Sequence, residues 1–372
     1  MGEAPSLPVS IEDVEVLARS RLSAEAYNYI AGGAGSEVSM KFNQQAFDRW
    51  RIVPRMMCDV AERDLSIRLF GTTINAPVIM APIGVQSLAH PNGELEMAQA
   101  AHQLQIPYCY SSAATRSPED VAAAAGACPK WFQLYWPRDQ EITRSFIRRA
   151  EAVGYTALVV TLDTRMLAWR ERDLNRAFLP FLKGEGIGLY LSDPVFRSRL
   201  EKPPEEDMPT AVLTWAAGFS DLSQTWDDIA FLKECTSLPI ILKGILHPDD
   251  ACRAFEHGAD GIIVSNHGGR QVDGCMAALD ALPGVVDAVG SDLPILFDSG
   301  IRRGADIFRA LALGAKAVLV GRPYMWGLAL NGADGIREVM QRILADFDIT
   351  MTLCGCRTLN DVNREMLAAP RD

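Results

Sequence analysis

Short apolar, largely β-branched runs recur along this chain, and most are separated by stretches with the three-to-four-residue spacing of a helix. The runs are APVIMAP (76–82), IPYCYSS (106–112), WFQLY (131–135), ALVVTLD (157–163), LPIILKG (238–244), GIIVSN (261–266), LPILFDSG (293–300) and AVLVGR (317–322). Helix-like stretches between them run from Glu94 to Leu104, Ser117 to Ala125, Arg144 to Ala152, Pro248 to Glu256 and Gly304 to Leu313. A strand that is apolar on both faces needs cover on both, so this alternation predicts a parallel sheet clothed in helices. Eight such units match an α/β fold of the (β/α)8 TIM-barrel kind, which takes about 250 residues. An open doubly wound sheet is the alternative architecture. It would carry a G-x-G-x-x-G turn after its first strand, and the glycines of AGGAGSE (31–37) follow no strand.

Two parts fall outside the alternation. Residues 1–60 read as an N-terminal helical segment, and residues 164–237 as a long loop region after the fourth strand, within one domain spanning 1–372. RSRLEKPPEEDMP (197–209) is charged and proline-rich, which predicts a mobile, lid-like loop rather than a membrane-docking helix.

Composition narrows the function. The 372 residues are 48% hydrophobic and carry a net charge of −11, which supports a large core and speaks against nucleic acid as a partner. An anionic ligand must then be captured by local cations working against the overall field. There is no run of about 18 apolar residues to cross a membrane, and no secretory leader is evident. The eight cysteines are scattered, with only Cys354 and Cys356 close together, which predicts a reduced, cytoplasmic setting. The ending Ala-Ala-Pro-Arg-Asp carries no S-K-L peroxisomal address. The five histidines form no ligand pair, so no metal site is expected.

Barrel enzymes work at the C-terminal ends of their strands, so the polar residues there are the candidate chemistry. They are Pro82, Ile83 and Gly84, Ser111 and Ser112, Gln133 and Tyr135, Thr161 and Asp163, Lys243, Asn266 and His267, Asp298, Gly300 and Arg302, and Gly321 and Arg322. Gly300, Arg302, Gly321 and Arg322 follow the last two strands and precede helical stretches, a place suited to a phosphate. Arg270 is suited to a bidentate grip on a carboxylate, and His267 to taking a proton from a neighbouring hydroxyl. Gly268 and Gly269 between them would let a ligand approach the backbone. Asp163 could orient and stabilise a protonated His267. Lys243 could stabilise negative charge on a cofactor, or form a Schiff base as in aldolases.

The stretch SNHGGRQVDG (265–274) resembles the signature of the FMN-dependent 2-hydroxy acid oxidase and dehydrogenase family. Further matching pieces are YNYIAGGAGSE, INAPVIMAPIG, WFQLYW, VTLDT, ILKGI, LFDSGIRRGADIFRALALGA and VGRPY, spread from Val14 to Leu367. Within the family, LDTRMLAWRERDLN, PFLKG, SDPVF, ILKGILHPDDA and DALP are most similar to the lactate 2-monooxygenase branch. The resemblance implies FMN as cofactor, a small L-2-hydroxy acid as substrate, O2 as electron acceptor and a homotetramer or octamer. It implies His267 as the base, paired with Asp163, and Tyr29, Arg170 and Arg270 on the substrate carboxylate, with Tyr135 at the substrate oxygen. Lys243 would stand at flavin N1 and O2. Pro82, Ile83, Gly84, Ser111, Gln133, Thr161 and Ser265 would surround the ring, and Asp298 would bind the ribityl chain. Gly300, Arg302, Gly321 and Arg322 would hold the phosphate. Glycolate oxidases usually carry alanine at the position of Gly84 and tryptophan at that of Ala113. Both changes imply room for a side chain of lactate size or larger, up to branched or aromatic.

Overall fold

The structure is a computed structural model that describes residues 6–368. The first five residues of the expected N-terminal segment and the last four of the tail read for a peroxisomal address lie outside the described residues. All eight predicted strands form: β1 (Val78–Met80), β2 (Tyr108–Ser111), β3 (Lys130–Leu134), β4 (Leu158–Thr161), β5 (Ile240–Ile245), β6 (Gly261–Val264), β7 (Ile295–Phe297) and β8 (Ala317–Val320). They pair in parallel in chain order and close into one barrel, with Val318 opposite Val78 and Val320 opposite Met80 at the seam. Alternation along each strand sends Ile79, Trp131, Val159, Ile241, Ile263, Leu296 and Leu319 into the interior, while Val78, Phe132, Val160 and Leu242 pack outward under the helices. Both faces of these strands are therefore buried, which is why the sequence shows continuous apolar runs.

The interior is solid and its floor is plugged. A hairpin of Ile67–Leu69 and Thr72–Ile74 adds Leu69 and Ile74 to the interior cluster, and Phe70 meets Trp131 edge-on at 5.6 Å. Its three-residue strands are too short to show an alternation, so the sequence reading passed over it.

The N-terminal segment is helical as expected, with α1 (Ile11–Arg21), α2 (Ala24–Ala31) and α3 (Val38–Arg49). Ser10 and Ser23 cap the first two by accepting from backbone N–H groups in the first turn. Arg51–Ile52 then pairs antiparallel with Leu367–Ala368, tying the two ends of the chain together. The outer layer includes α4 (Glu94–Leu104), α5 (Pro118–Ala125), α6 (Gln140–Ala152), α7 (Pro248–Glu256), α8 (Ala278–Val289), α9 (Gly304–Ala312) and α10 (Arg322–Leu353). The last is broken at Asn331–Gly332, where Gly332 has φ +55°.

Residues 164–237 form the long connection between β4 and β5. They fold into a chain of short helices, including 180–183, 188–191, 194–197, 208–218 and 229–235. Asp193 caps the helix at 194–197 through Val195 N and Phe196 N (both 2.9 Å) and pairs with Arg149 of α6 (3.2 Å). The expected lid-like stretch 197–209 is braced by Arg197 on Glu205 (2.9 Å), and Asp207 caps the helix that follows. The four-residue helices carry no periodicity to read, which explains why that part of the region went unread. Among the described residues no helix is long and apolar enough to cross a membrane, and all eight cysteines are free thiols.

Candidate active site

A cleft opens to solvent at the C-terminal ends of the strands. Its lining brings together Tyr29, Pro82, Ile83, Gly84, Ala113, Gln133, Tyr135, Thr161, Arg170, Lys243, His267, Arg270, Asp298, Gly300, Arg302, Gly321 and Arg322. Asp163, Ser111 and Ser265 stand one layer behind.

At the end of β6 the backbone enters the left-handed region for three residues, His267 (φ +58°), Gly268 (φ +63°) and Gly269 (φ +76°). For a histidine this conformation is uncommon, and it is held by the surroundings. His267 N donates to Ser265 Oγ (3.0 Å), Gly268 N to Ser299 Oγ (3.0 Å) and Gly269 N to Asn266 Oδ1 (3.0 Å). The two glycines do not both make space for ligand. A Cβ on Gly269 would lie 2.7 Å from Met40 of α3, and one on Gly268 would lie 2.9 Å from Arg322, so protein packs there.

The turn aims the imidazole. His267 Nδ1 lies 2.7 Å from Asp163 Oδ1 and 3.0 Å from Thr164 Oγ1, and Nε2 lies 3.4 Å from the Tyr135 hydroxyl. With its proton on Nδ1 facing the carboxylate, the ring leaves a lone pair on Nε2 toward the cleft. Burial, with Lys243 and Arg170 nearby, outweighs Asp163 and holds the imidazole below its ordinary value of 6.5. Burial works against the Asp163 charge, but His267 and Lys243 outweigh it and its carboxyl sits below the usual range. Burial pushes the Tyr135 phenol up to about 12, so it stays a donor. The close approach of Asp163 needs the bulge in β5: a Cβ on Gly244 (φ +106°) would lie 2.7 Å from the Asp163 carboxyl carbon.

Lys243 donates to Ser265 Oγ (2.9 Å) and pairs with Asp298 (3.1 Å). Burial disfavours its charge, yet Asp298 and Asp163 more than compensate and raise its pKa. A lysine held as an ammonium is a poor nucleophile, which disfavours the Schiff-base reading. Ser111 accordingly serves Gln133: its hydroxyl donates to Oε1 (3.1 Å), and Gln133 Nε2 donates to Thr161 Oγ1 (2.9 Å), one chain across β2, β3 and β4.

Three half-buried arginines, Arg270, Arg302 and Arg322, have no carboxylate in ion-pair range among the described residues. Arg270 donates to the Tyr29 carbonyl (2.8 Å) and Gly32 carbonyl (2.6 Å), and lies over the Tyr29 ring at 5.3 Å. Arg322 reaches the carbonyls of Gly32 and Gly268 (both 3.0 Å). The AGGAGSE loop thus offers carbonyls to cations. Burial, aided by repulsion from Arg270 and Arg302, lowers the pKa of Arg322 well below normal; burial, aided by repulsion from Arg170, lowers that of Arg270 to about 10, and burial lowers that of Arg302. Each is a cation awaiting an anion. The expected anion site at the start of α9 is different in kind, because its amides are taken. Arg302 N and Arg303 N donate to Asp306, and Gly304 N to Asp346 (2.6 Å). Gly300 is likewise bare for packing, since a Cβ there would lie 2.8 Å from the Asn43 carbonyl oxygen.

The sequence reading missed the contributions of the insert. Leu167, Phe181 and Phe219 line the mouth, with Phe219 5.5 Å from the Tyr135 ring and Phe181 stacked on Trp215 at 4.9 Å. Arg165 holds this edge down through the carbonyls of Leu222 and Gln224 (3.1 Å to the latter). Thr164 and Ser299 were missed too. Each directly follows a strand-end aspartate, Asp163 or Asp298, a signal that could have found it.

A family described as FMN-dependent dehydrogenase matches residues 18–369. The chain is 46% identical to an FMN-dependent alpha-hydroxy acid dehydrogenase of Penicillium citrinum, covering 99% of this chain and 92% of that one. It is 44% identical to an L-lactate oxidase of Lysinibacillus sphaericus, over 96% of this chain and 92% of the relative. A crystal structure of mandelate oxidase superposes with a TM-score of 0.86 at 37% identity, covering 97% of this chain and 98% of that one.

Proposed function

The chain belongs to the FMN-dependent dehydrogenase family as a 2-hydroxy acid-oxidising flavoenzyme, and on that premise we propose that it oxidises an L-2-hydroxy acid with an apolar side chain of lactate size or larger, passing the electrons to O2. The observation that carries this reading is a neutral-leaning imidazole, backed by Asp163, sharing one cleft with unpaired guanidinium groups. The cleft fits flavin mononucleotide: Arg302 and Arg322 are the unpaired cations that its phosphate would satisfy, and Lys243 is a fixed ammonium on the Gln133–Thr161 side. Pro82, Ile83, Gly84, Gln133 and Thr161 would line the ring, with Ser111 and Ser265 behind it, and Asp298, Gly300 and Gly321 would flank the ribityl-phosphate end. When bound, FMN supplies a two-electron acceptor for hydride leaving the substrate α-carbon.

The protein supplies position and proton handling. Arg270 and Arg170, with Tyr29 beside them, grip the substrate carboxylate and so fix the α-carbon. His267 Nε2 takes the hydroxyl proton, Asp163 stabilises the imidazolium that results, and Tyr135 donates to the substrate oxygen. The apolar Leu167, Phe181 and Phe219 exclude water from the reacting end.

The likeness to lactate 2-monooxygenase supports a version in which the 2-oxo acid and peroxide react before leaving, giving CO2 and the acid one carbon shorter. The second reading is release of 2-oxo acid and H2O2, or transfer to another acceptor, and the named relatives support the oxidase form equally. Assaying lactate turnover for CO2 and acetate against pyruvate and H2O2 separates these outcomes. Failure of every 2-hydroxy acid to bleach the flavin anaerobically would overturn the reading as a whole. Eight free thiols fit a reducing, cytoplasmic setting, and light scattering would test the expected tetramer or octamer.

A further inference from the structure

The helical insert meets the loop after β2 through its backbone. Gly188 N donates to the Ala114 carbonyl (2.9 Å), and a Cβ on Gly188 would lie 2.1 Å from the Thr115 carbonyl oxygen. Gly186, at φ +78°, is equally confined: a Cβ there would lie 2.5 Å from Val85 and 2.8 Å from the Phe181 ring. Around these glycines a circuit of hydrogen bonds closes on itself. Gly186 N donates to Thr115 Oγ1 (3.3 Å), the Thr115 and Ser87 hydroxyls are 3.0 Å apart, and Ser87 Oγ donates to Glu185 Oε2 (2.7 Å). The proton inventory fixes its direction. A carboxylate only accepts, so Ser87 gives its one proton to Glu185 and receives one from Thr115, whose oxygen accepts from Gly186. The circuit therefore leaves the insert at Gly186, crosses the loops after β2 and β1, and returns at Glu185. Glu94, 1% exposed at the start of α4, fastens the two barrel loops from beneath by accepting from Gln86 N (3.2 Å) and Thr115 N (3.1 Å).

The three segments joined in this way each contribute a residue to the pocket wall: Gly84 after β1, Ala113 after β2 and Phe181 from the insert. Gly84 and Ala113 already touch, since a Cβ on Gly84 would lie 2.7 Å from that of Ala113. Their small size therefore does not by itself define an open pocket, and the placement of Phe181 against them decides how much room remains. We propose that Thr115 and Ser87 are positioning residues for substrate selection: their circuit sets the separation of Phe181 from the Gly84–Ala113 wall, and with it the side chain the enzyme accepts. This rests on the 2-hydroxy acid reading above. Neither residue lines the cleft, so neither touches substrate or cofactor.

The test uses the FMN-loaded enzyme and anaerobic flavin reduction by glycolate, lactate, a branched 2-hydroxy acid and mandelate. Thr115→Val keeps the shape and removes the hydroxyl, Ser87→Ala opens the circuit from the other loop, and Thr115→Ser preserves it. The half-saturation for the branched and aromatic acids, relative to lactate, should change roughly three- to tenfold in either Thr115→Val or Ser87→Ala, on the scale of one lost hydrogen bond. The limiting rate with lactate and the flavin spectrum should stay as in the wild type. The double variant should change no more than either single one, and Thr115→Ser should retain the wild-type profile. Side-chain profiles parallel to the wild type in both single variants overturn the proposal, as does a change that comes only with flavin loss. If Thr115→Val fails to fold, Ser87→Ala and Glu185→Ala open the same circuit and decide the matter. If the wild type is reduced by none of the acids, the functional reading fails instead.

Discussion

His267 sits between an anion that favours its protonated form and burial and cations that oppose it, and the opposing influences win. A base with a depressed pKa is free at neutral pH and is lost only as the pH falls through that value. The acid limb of kcat/KM should therefore have its midpoint below 6.5, the imidazole's ordinary value. Arg170→Met removes a cation and should move the limb to higher pH while lowering its height. Asp163→Asn removes the anion and should move it lower. Stopped-flow flavin reduction across pH reads both, and shifts in the same direction would contradict this account of the electrostatics. The residue types at this centre were legible because imidazole, guanidinium and ammonium groups rarely end apolar strands without a use. The behaviour of Gly269 was not legible. Its bareness answers to Met40, some 230 positions earlier in the chain, and nothing local announces that contact.

At the scale of elements, the barrel strands could be read because burial on both faces writes a continuous apolar run. The helices between them could be read because capping and periodicity agree, as at Ser117–Pro118, where Ser117 accepts from Asp120 N. The insert could not, since short helices docked through Gly186 and Gly188 depend on the surface beneath them. The His267 turn offers a test of how closely packed elements hold the site. Gly269→Ala combines left-handed strain with a clash against α3 and should cost about 2–5 kcal/mol of stability. Gly274→Ala, at φ +72° with nothing within 4 Å of its Cβ, should cost only the strain, about 1–2 kcal/mol. Denaturant melts of the two variants should differ accordingly, and equal losses would mean that the contact with Met40 relaxes freely.

Across the whole molecule, an acidic protein of net charge −11 gathers three unpaired guanidinium groups at one cleft. That arrangement disfavours the protein without its anionic ligand and favours the loaded form. Arg302→Met should leave the FMN-free protein as stable as the wild type or more so, while weakening FMN binding about ten- to a hundredfold. Thermal melts of the FMN-free protein and flavin fluorescence titration check the two halves. A lower melting temperature without FMN would show that the guanidinium is already satisfied by its own surroundings.

The hairpin at residues 67–74, with Phe70 against Trp131, turns the barrel into a cul-de-sac. With the interior packed by Ile79, Ile263 and Leu296, the substrate acid and its product share the cleft at the other end, lined in part by Phe181 and Phe219. Arrivals and departures must take turns. Product inhibition should accordingly be competitive with the acid, and crowding at the threshold should slow turnover at high substrate concentration. The plug that stabilises the far end of the barrel thus makes the near end a queue.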